Sequence, residues 1–511
     1  MIGRPGADRR VHPTVDDPVV TLVSESVGGP MGCHAARHPW WTPVRVLLLL
    51  TACCFALGMV QKNDCFQEGW TTGETRYSAM CYSDLPYLYT GRGMVELAWP
   101  FTDDPQVRNR FSVMEYPVGI SYWTYGTAYV THWLAGSPDL EPRYAQDPGT
   151  LFGQPDIQRE IKLFFVVNAV GFALLALLTT WFLTRVNRDR PWDAAMFALS
   201  PTLALAGLVN WDMLAVAAVA GALWAWQRGS PVLTGLLIGL GVAIKLYPLF
   251  LLGGLLLICI RRRWFAAYVT VLSSAVIAWV LTNIPAYLTG PDQWKLFWTF
   301  NSDRTADLGS VWLVIAQARD VAFTSDTING WSLWIFVAWC LGVAALAMAA
   351  PATPRLAQLA FLIVAGFLIV NKVYSPQYVL WLLPLAALAR PRWRDQLVWQ
   401  ASEVFYFMSV WWYLGNDLKP AAGDDAGAYW VAIVVRVLGE LYLVTLVARD
   451  VLRPTHDPVR EPRRVPYRWS SSERTPGGRA ASARQWSSSE RTPVVEQRAH
   501  AGGRAASEAS G

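Results

Sequence analysis

The sequence predicts an all-α polytopic membrane protein: a bundle of about 12 transmembrane helices with further helices lying at its outer face. Composition is the first reason. The chain has 511 residues, 53% hydrophobic and only 16% charged, whereas a soluble domain has roughly 25% charged residues. The second is recurrence, because apolar runs suited to membrane helices follow one another from Arg45 to Leu452. The third is sidedness. Asp84, Glu115-Tyr116-Pro117, Asn210-Trp211-Asp212, Lys245-Leu246-Tyr247-Pro248 and Asn371 to Tyr378 interrupt these runs on one side, and arginine clusters on the other. Arginine-rich turns stay in the cytoplasm, so the polar clusters belong outside.

Residues 1–42 are polar and rich in Pro, Gly and Arg, and read as a disordered cytoplasmic arm. The transmembrane domain, 43–452, opens with Val44–Val60. This run has a basic front, but further spans follow and no small-residue cleavage site does, so it reads as an anchor. A first outer loop, 61–160, contains the aromatic stretch Tyr116–Leu134. The next span, Ile161–Thr184, ends in Arg185-Val186-Asn187-Arg188, which requires a single crossing between 61 and 185. The 116–134 stretch is therefore expected as a helix at the outer interface.

The remaining spans alternate: Ala194–Val209 out, Asp212–Gln227 in, Val232–Ile244 out, Leu246–Ile260 in to Arg261-Arg262-Arg263, and Trp264–Ile284 out. An outer loop, 285–330, is expected to hold two short helices. Trp331–Ala350, Arg355–Val370, Gln377–Ala389, Gln396–Leu414 and Tyr429–Ala448 complete the bundle, with both termini inside. The tail, 453–511, reads as disordered. It repeats itself, Trp469–Pro476 recurring as Trp486–Pro493 and Gly477–Ser482 as Gly502–Ser507, and such a repeat builds no core.

The net charge of +5 is accounted for by cytoplasmic turns and tail, so no nucleic-acid partner is expected. Most of the 27 tryptophans suit interfacial belts. The histidines and cysteines show no metal-ligand spacing, and no metal or cofactor is expected. Cys65 and Cys81 both fall in the outer loop, where disulfides persist, and are expected to pair.

Ionisable residues near hydrocarbon are functional candidates. Asp84, set among aromatics after the first span, has the character of a general base; Asp64 is its nearest competitor. Lys245 and Lys372 sit at outer span ends, where an ammonium either snorkels or holds a phosphate. Tyr247, Tyr374, Gln377 and Tyr378 add donors, and Glu115, Tyr116, Asn210 and Asp212 complete the candidate site. Arg304 is a weaker candidate. Glu403, Arg436 and Glu440 lie inside the last spans, Arg436 and Glu440 at the i, i+4 spacing of mutual neutralisation.

A first-loop Asp, Glu115-Tyr116-Pro117, Ile244-Lys245-Leu246-Tyr247-Pro248, and Val373-Tyr374-Ser375-Pro376-Gln377-Tyr378 before Leu380-Trp381-Leu382-Leu383-Pro384 occur here in that order. The set resembles the family 87 glycosyltransferases, polyprenyl-phosphate-mannose-dependent enzymes of the GT-C superfamily, over roughly 44–450. Where that family often has Tyr-Pro-Pro, this chain has Tyr116-Pro117-Val118, and it carries a longer insert at 136–160. The resemblance implies a GT-C-like bundle in the cell membrane with its active site outside the cytoplasm. It implies a lipid-linked sugar donor, a lipid or glycan acceptor, and an acidic residue of the first outer loop, here Asp84, as base. Lys245 and Lys372 would then stabilise the leaving phosphate, and in-line displacement would invert the anomeric centre. A lipid-linked sugar transporter is the alternative. It would require midplane binding between repeated bundles, and the two halves show no such symmetry.

Overall fold

The structure is a computed structural model that describes residues 17–28, 40–418 and 426–460. These lie in one compact unit, Met1–Arg464. The tail repeats and the rest of the arm lie outside the described residues. Among those described, every regular element is a helix.

Five helices are long and apolar enough to cross a membrane: Pro43–Gln61, Pro155–Val186, Phe265–Thr289, Ser325–Ala349 and Gly427–Leu452. Their outward faces carry uncovered hydrophobics such as Leu57, Leu174, Ile277, Leu281, Trp334, Leu341 and Leu438. A water-soluble surface rarely tolerates so continuous an apolar face, whereas lipid solvates it, and the protein is a multi-pass membrane protein.

Inside this shell, Met213–Gln227, Leu356–Val370 and Val379–Ala389 are buried almost throughout. The helix Pro231–Val242 packs on Phe265–Thr289 through Gly235 and Gly239, where an added Cβ would lie 2.2 Å from the carbonyl oxygens of Val271 and Ala275. Small residues four apart let two backbones approach closely in lipid.

The shorter inner helices come in pairs joined by a break. Pro201–Ala206 leads to Met213–Gln227, Pro231–Val242 to Leu251–Arg262, and Leu356–Val370 to Val379–Ala389. A 15-residue helix is about 22 Å long, short of the roughly 30 Å of hydrocarbon. Irregular backbone at such depth is tolerated where it lines a polar cavity, and these breaks carry Asn210–Asp212, Lys245 and Asn371–Gln377.

Several expected boundaries change. Ala194–Val209 is not one span: it folds as the turns Pro191–Ala194, Ala195–Ala198 and Pro201–Ala206. Pro201 has no N–H for the preceding turn, and the Ser200 hydroxyl starts a new helix by accepting from the Leu203 amide. Likewise Leu246–Ile260 opens with a 3₁₀ turn, Tyr247–Phe250, before Leu251–Arg262. The segment 285–330 holds Pro291–Asp303 and Val311–Arg319, then runs directly into Ser325–Ala349.

Short parts of the arm and tail, 17–28 and 453–460, are among the described residues. Pro18–Gly28 is a helix, and the Asp17 carboxylate accepts from the amides of Val19 and Trp393, both at 2.9 Å. Past the last helix, Asp457 is fully buried and takes a 2.8 Å bond from Arg355. At the same end Arg390 bonds Asp395 at 2.9 Å and Asp450 at 2.6 Å. Arg436 pairs with Glu440 at 2.9 Å. A disulfide joins Cys65 to Cys81, with Cα atoms 5.7 Å apart.

Candidate active site

The three breaks and the segment between the first two long helices meet around one cavity of about 610 Å³. Asp84, Glu115, Tyr116, Asn210, Lys245, Lys372, Gln377 and Tyr378 all line it. Asp64 does not; it is exposed on the short helix Asn63–Glu68.

Asp84 begins the helix Asp84–Gly91. Ser83 caps that helix, its hydroxyl accepting from the Leu85 amide and donating to the Leu208 carbonyl. The Asp84 amide donates to Val209 O at 2.9 Å, which ties the segment after the first long helix to the break before Met213–Gln227. Its carboxylate is well supplied with donors. Tyr82 Oη gives to Oδ1 at 2.8 Å; Asn210 Nδ2 and Tyr116 Oη give to Oδ2 at 2.5 Å and 3.3 Å. Each carboxylate oxygen can accept two bonds, so Oδ1 keeps one site open. Burial pushes the carboxyl above the usual carboxylate range, opposed by the Tyr82 and Asn210 bonds and by the charge of Lys245.

Lys245 is not a free cation. Its Nζ lies 3.6 Å from Asp212 Oδ2 and 4.8 Å from the Tyr116 ring centre, and the side chain is nearly covered. Asp212 does not line the cavity. It sits behind it, its Oδ1 accepting from Trp381 Nε1 at 2.6 Å. Tyr247 also lies behind, stacked on Trp381 at 4.6 Å, while Tyr378 covers the indole at 4.1 Å. These packed aromatics hold the Lys245–Asp212 pair in place.

Tyr374, expected among the donors, is fully buried away from the cavity. Its hydroxyl donates to Glu403 at 3.0 Å, and the Arg436 guanidinium lies 3.7 Å from its ring centre. This correction has a simple cause. The amide of Tyr374 donates to Leu308 O and the amide of Asp307 to Lys372 O. The segment bends at Asn371 and Lys372, so residues 372 and 374 do not share a face as they would on a straight strand. Lys372 reaches the cavity and Tyr374 the core.

Lys372 is partly exposed and donates to Asn329 Oδ1 at 2.6 Å and Ser302 O at 3.1 Å. Burial and then the nearby Arg304 charge lower its pKa. Arg304 lines the same cavity and pairs with Asp307 at 2.6 Å. Glu115 is matched by Arg92, in a bidentate contact of 2.8 and 3.0 Å.

Sequence reasoning missed three contributors. Tyr77, Tyr82 and Trp411 form an aromatic wall beside Asp84, with Tyr82 and Trp411 centroids 5.2 Å apart. Phe297, Trp298 and Phe300 of Pro291–Asp303 line another side. Lys62, one residue past the first span, is completely buried and donates to Tyr82 O at 2.9 Å. Burial pushes it down to about 7, opposed by the charge of Asp84. Tyr82 is one of the aromatics set around Asp84 in the chain, but nothing local distinguishes Lys62 at the end of the first span.

No curated protein matches this chain. The family model of glycosyltransferase family 87 matches residues 157–376. That stretch contains Asn210, Lys245 and Lys372, whereas Asp84, Glu115 and Tyr116 precede it. With three helix breaks and a donor-ringed carboxylate around one cavity, the chain is a multi-pass membrane protein whose residues 157–376 are similar to glycosyltransferase family 87.

Proposed function

We propose that this protein transfers a sugar, expected to be mannose, from a polyprenyl-phosphate donor to a lipid or glycan acceptor at the outer face of the cell membrane. One observation carries the reading: a single cavity holds Asp84, with an open acceptor site on Oδ1, together with Lys372 and Arg304. Asp84 takes the proton of the acceptor hydroxyl as its oxygen attacks the anomeric carbon. The bond from that carbon to the lipid-phosphate oxygen breaks, and negative charge collects on the leaving phosphate. Fixed cations placed where charge develops lower the barrier. Lys372 supplies one, and Arg304 and Lys245, already matched by Asp307 and Asp212, contribute their fields. Tyr82, Tyr116 and Asn210 hold the carboxylate. Attack opposite the leaving group inverts the anomeric centre.

The test is direct. Purified protein is incubated with radiolabelled polyprenyl-phosphate mannose and a membrane extract, and the labelled product is identified. Transfer of label to a lipid or glycan supports the reading. Intact donor after incubation with active, folded protein would sink it.

A further inference from the structure

Among the described residues around the cavity, Asp84, Lys62 and Lys372 have no ion-pair partner, and of these Lys62 is fully buried. Lys245 is taken by Asp212, and Glu115 by Arg92. Among the described residues no carboxylate lies within ion-pair reach of Lys62 Nζ; the groups around it are the Tyr82 carbonyl and, at 6.0 Å, the Phe407 ring. An ammonium is an expensive way to satisfy one carbonyl in a covered site. Gln61, the preceding residue, does the same task with an amide, donating to Met80 O at 2.7 Å. Charge accounts for the difference. Asp84 and Asp212 are balanced by Lys245 and Lys62; without Lys62 the balance falls to Lys372, the cation that the proposed donor phosphate takes.

We infer that Lys62 is a positioning residue for Asp84, supplying its balancing charge and holding the Tyr82 segment that orients it. Lys62 Nζ binds the Tyr82 carbonyl, and the hydroxyl of the same tyrosine binds Asp84 Oδ1. The disulfide Cys65–Cys81 and the Asp84 amide bond to Val209 fix the two ends of this short segment. The charged and titratable groups around Asp84 are Tyr82, Tyr87, Tyr116, Lys245 and Lys62, with Asp212 behind Lys245. The inference rests on the proposed role of Asp84 for its kinetic part alone.

The experiment compares Lys62→Gln, Lys62→Arg, Asp84→Asn and the Lys62→Gln/Asp84→Asn double variant, purified with the disulfide intact. Melting temperatures should be non-additive, the double variant melting no lower than the weaker single one. In sugar transfer from polyprenyl-phosphate mannose, Lys62→Gln should move the acid limb of the pH profile upward by about one pH unit, as loss of a nearby cation does. Lys62→Arg should keep the wild-type limb, and donor KM should stay unchanged in both. Additive melting losses, or an acid limb unmoved in folded Lys62→Gln, would overturn the inference. If Lys62→Gln alone is not recovered folded, the double variant decides: recovery supports the coupling, and its loss while Asp84→Asn folds refutes it. The melting cycle needs no turnover, so it stands apart from a failure of Asp84 as base, which full transfer by Asp84→Asn would reveal.

Discussion

Lys245 Nζ lies 3.6 Å from Asp212 Oδ2, and Trp381 Nε1 closes the other carboxylate oxygen at 2.6 Å. This pair joins two helix breaks from different parts of the chain, one before Met213–Gln227 and one before Tyr247–Phe250. It makes Lys245 part of the scaffold that holds the cavity, and it separates the two lysines that sequence reading treated alike.

Lys245→Ala is therefore expected to damage the fold first. Removing one partner of a buried pair typically costs about 3–5 kcal/mol, because the other charge stays behind unpaired. Thermal unfolding in detergent should show a large loss for Lys245→Ala and a much smaller one for Lys245→Met/Asp212→Asn. Equal losses in both would show that the pair itself matters little.

Lys372→Ala should do the opposite. Lys372 is partly exposed and held by two neutral acceptors, so melting should change little. Losing a charge-assisted contact to an anion costs about 1.5–3 kcal/mol. That is roughly ten- to a hundredfold in kcat/KM for the lipid-phosphate donor. Normal donor turnover by this variant would leave Lys372 as a latch to Asn329 alone.

Asp84→Asn should abolish transfer while donor binding survives, because the amide keeps the shape and loses the basicity. General-base contributions run about 10²–10⁴-fold. Asp64→Asn, at an exposed position outside the cavity, should transfer sugar nearly normally. The pH profile adds a sign. Burial raises the Asp84 pKa, so more of it is protonated at a given acidic pH, and activity should fall on acidification sooner than an ordinary carboxylate would allow. A raised folded value also stabilises the fold at low pH, a contribution lost as pH rises through that value. Asp84→Asn should lack this pH dependence of melting.

Gly309→Ala tests the loop that carries Arg304 and Leu308. Gly309 has φ +70°, and an added Cβ would lie 2.1 Å from Tyr406 Oη and 2.5 Å from Tyr374 O. Its amide accepts no substitute position either, since it donates to Tyr429 Oη at 3.0 Å. The variant should lower melting temperature and raise donor KM together. A wild-type melting curve would mean that the loop relaxes without cost.

The family match, the all-helical fold and the multi-pass membrane character follow from what the sequence by itself determined. Apolar run length, arginine placement and proline are properties of neighbouring residues, and hydrocarbon rewards them locally. The short helices Pro291–Asp303 and Val311–Arg319 and the Arg436–Glu440 contact were readable for the same reason. Even the break at Ser200-Pro201 was written in the chain, though its apolar flanks argued for a continuous span. Which lysine meets which carboxylate was decided only in the tertiary structure. Lys245 and Asp212 are 33 positions apart, and nothing local pairs them. Tyr374 and Lys372 part at a bend that 307–308, lying alongside, holds in place. Lys62 reads as an ordinary span-end lysine until the Cys65–Cys81 bridge, Phe407 and Tyr82 close over it. Burial converts an ion's cheap place in water into a demand for a particular partner, and that partner is chosen by packing at long range.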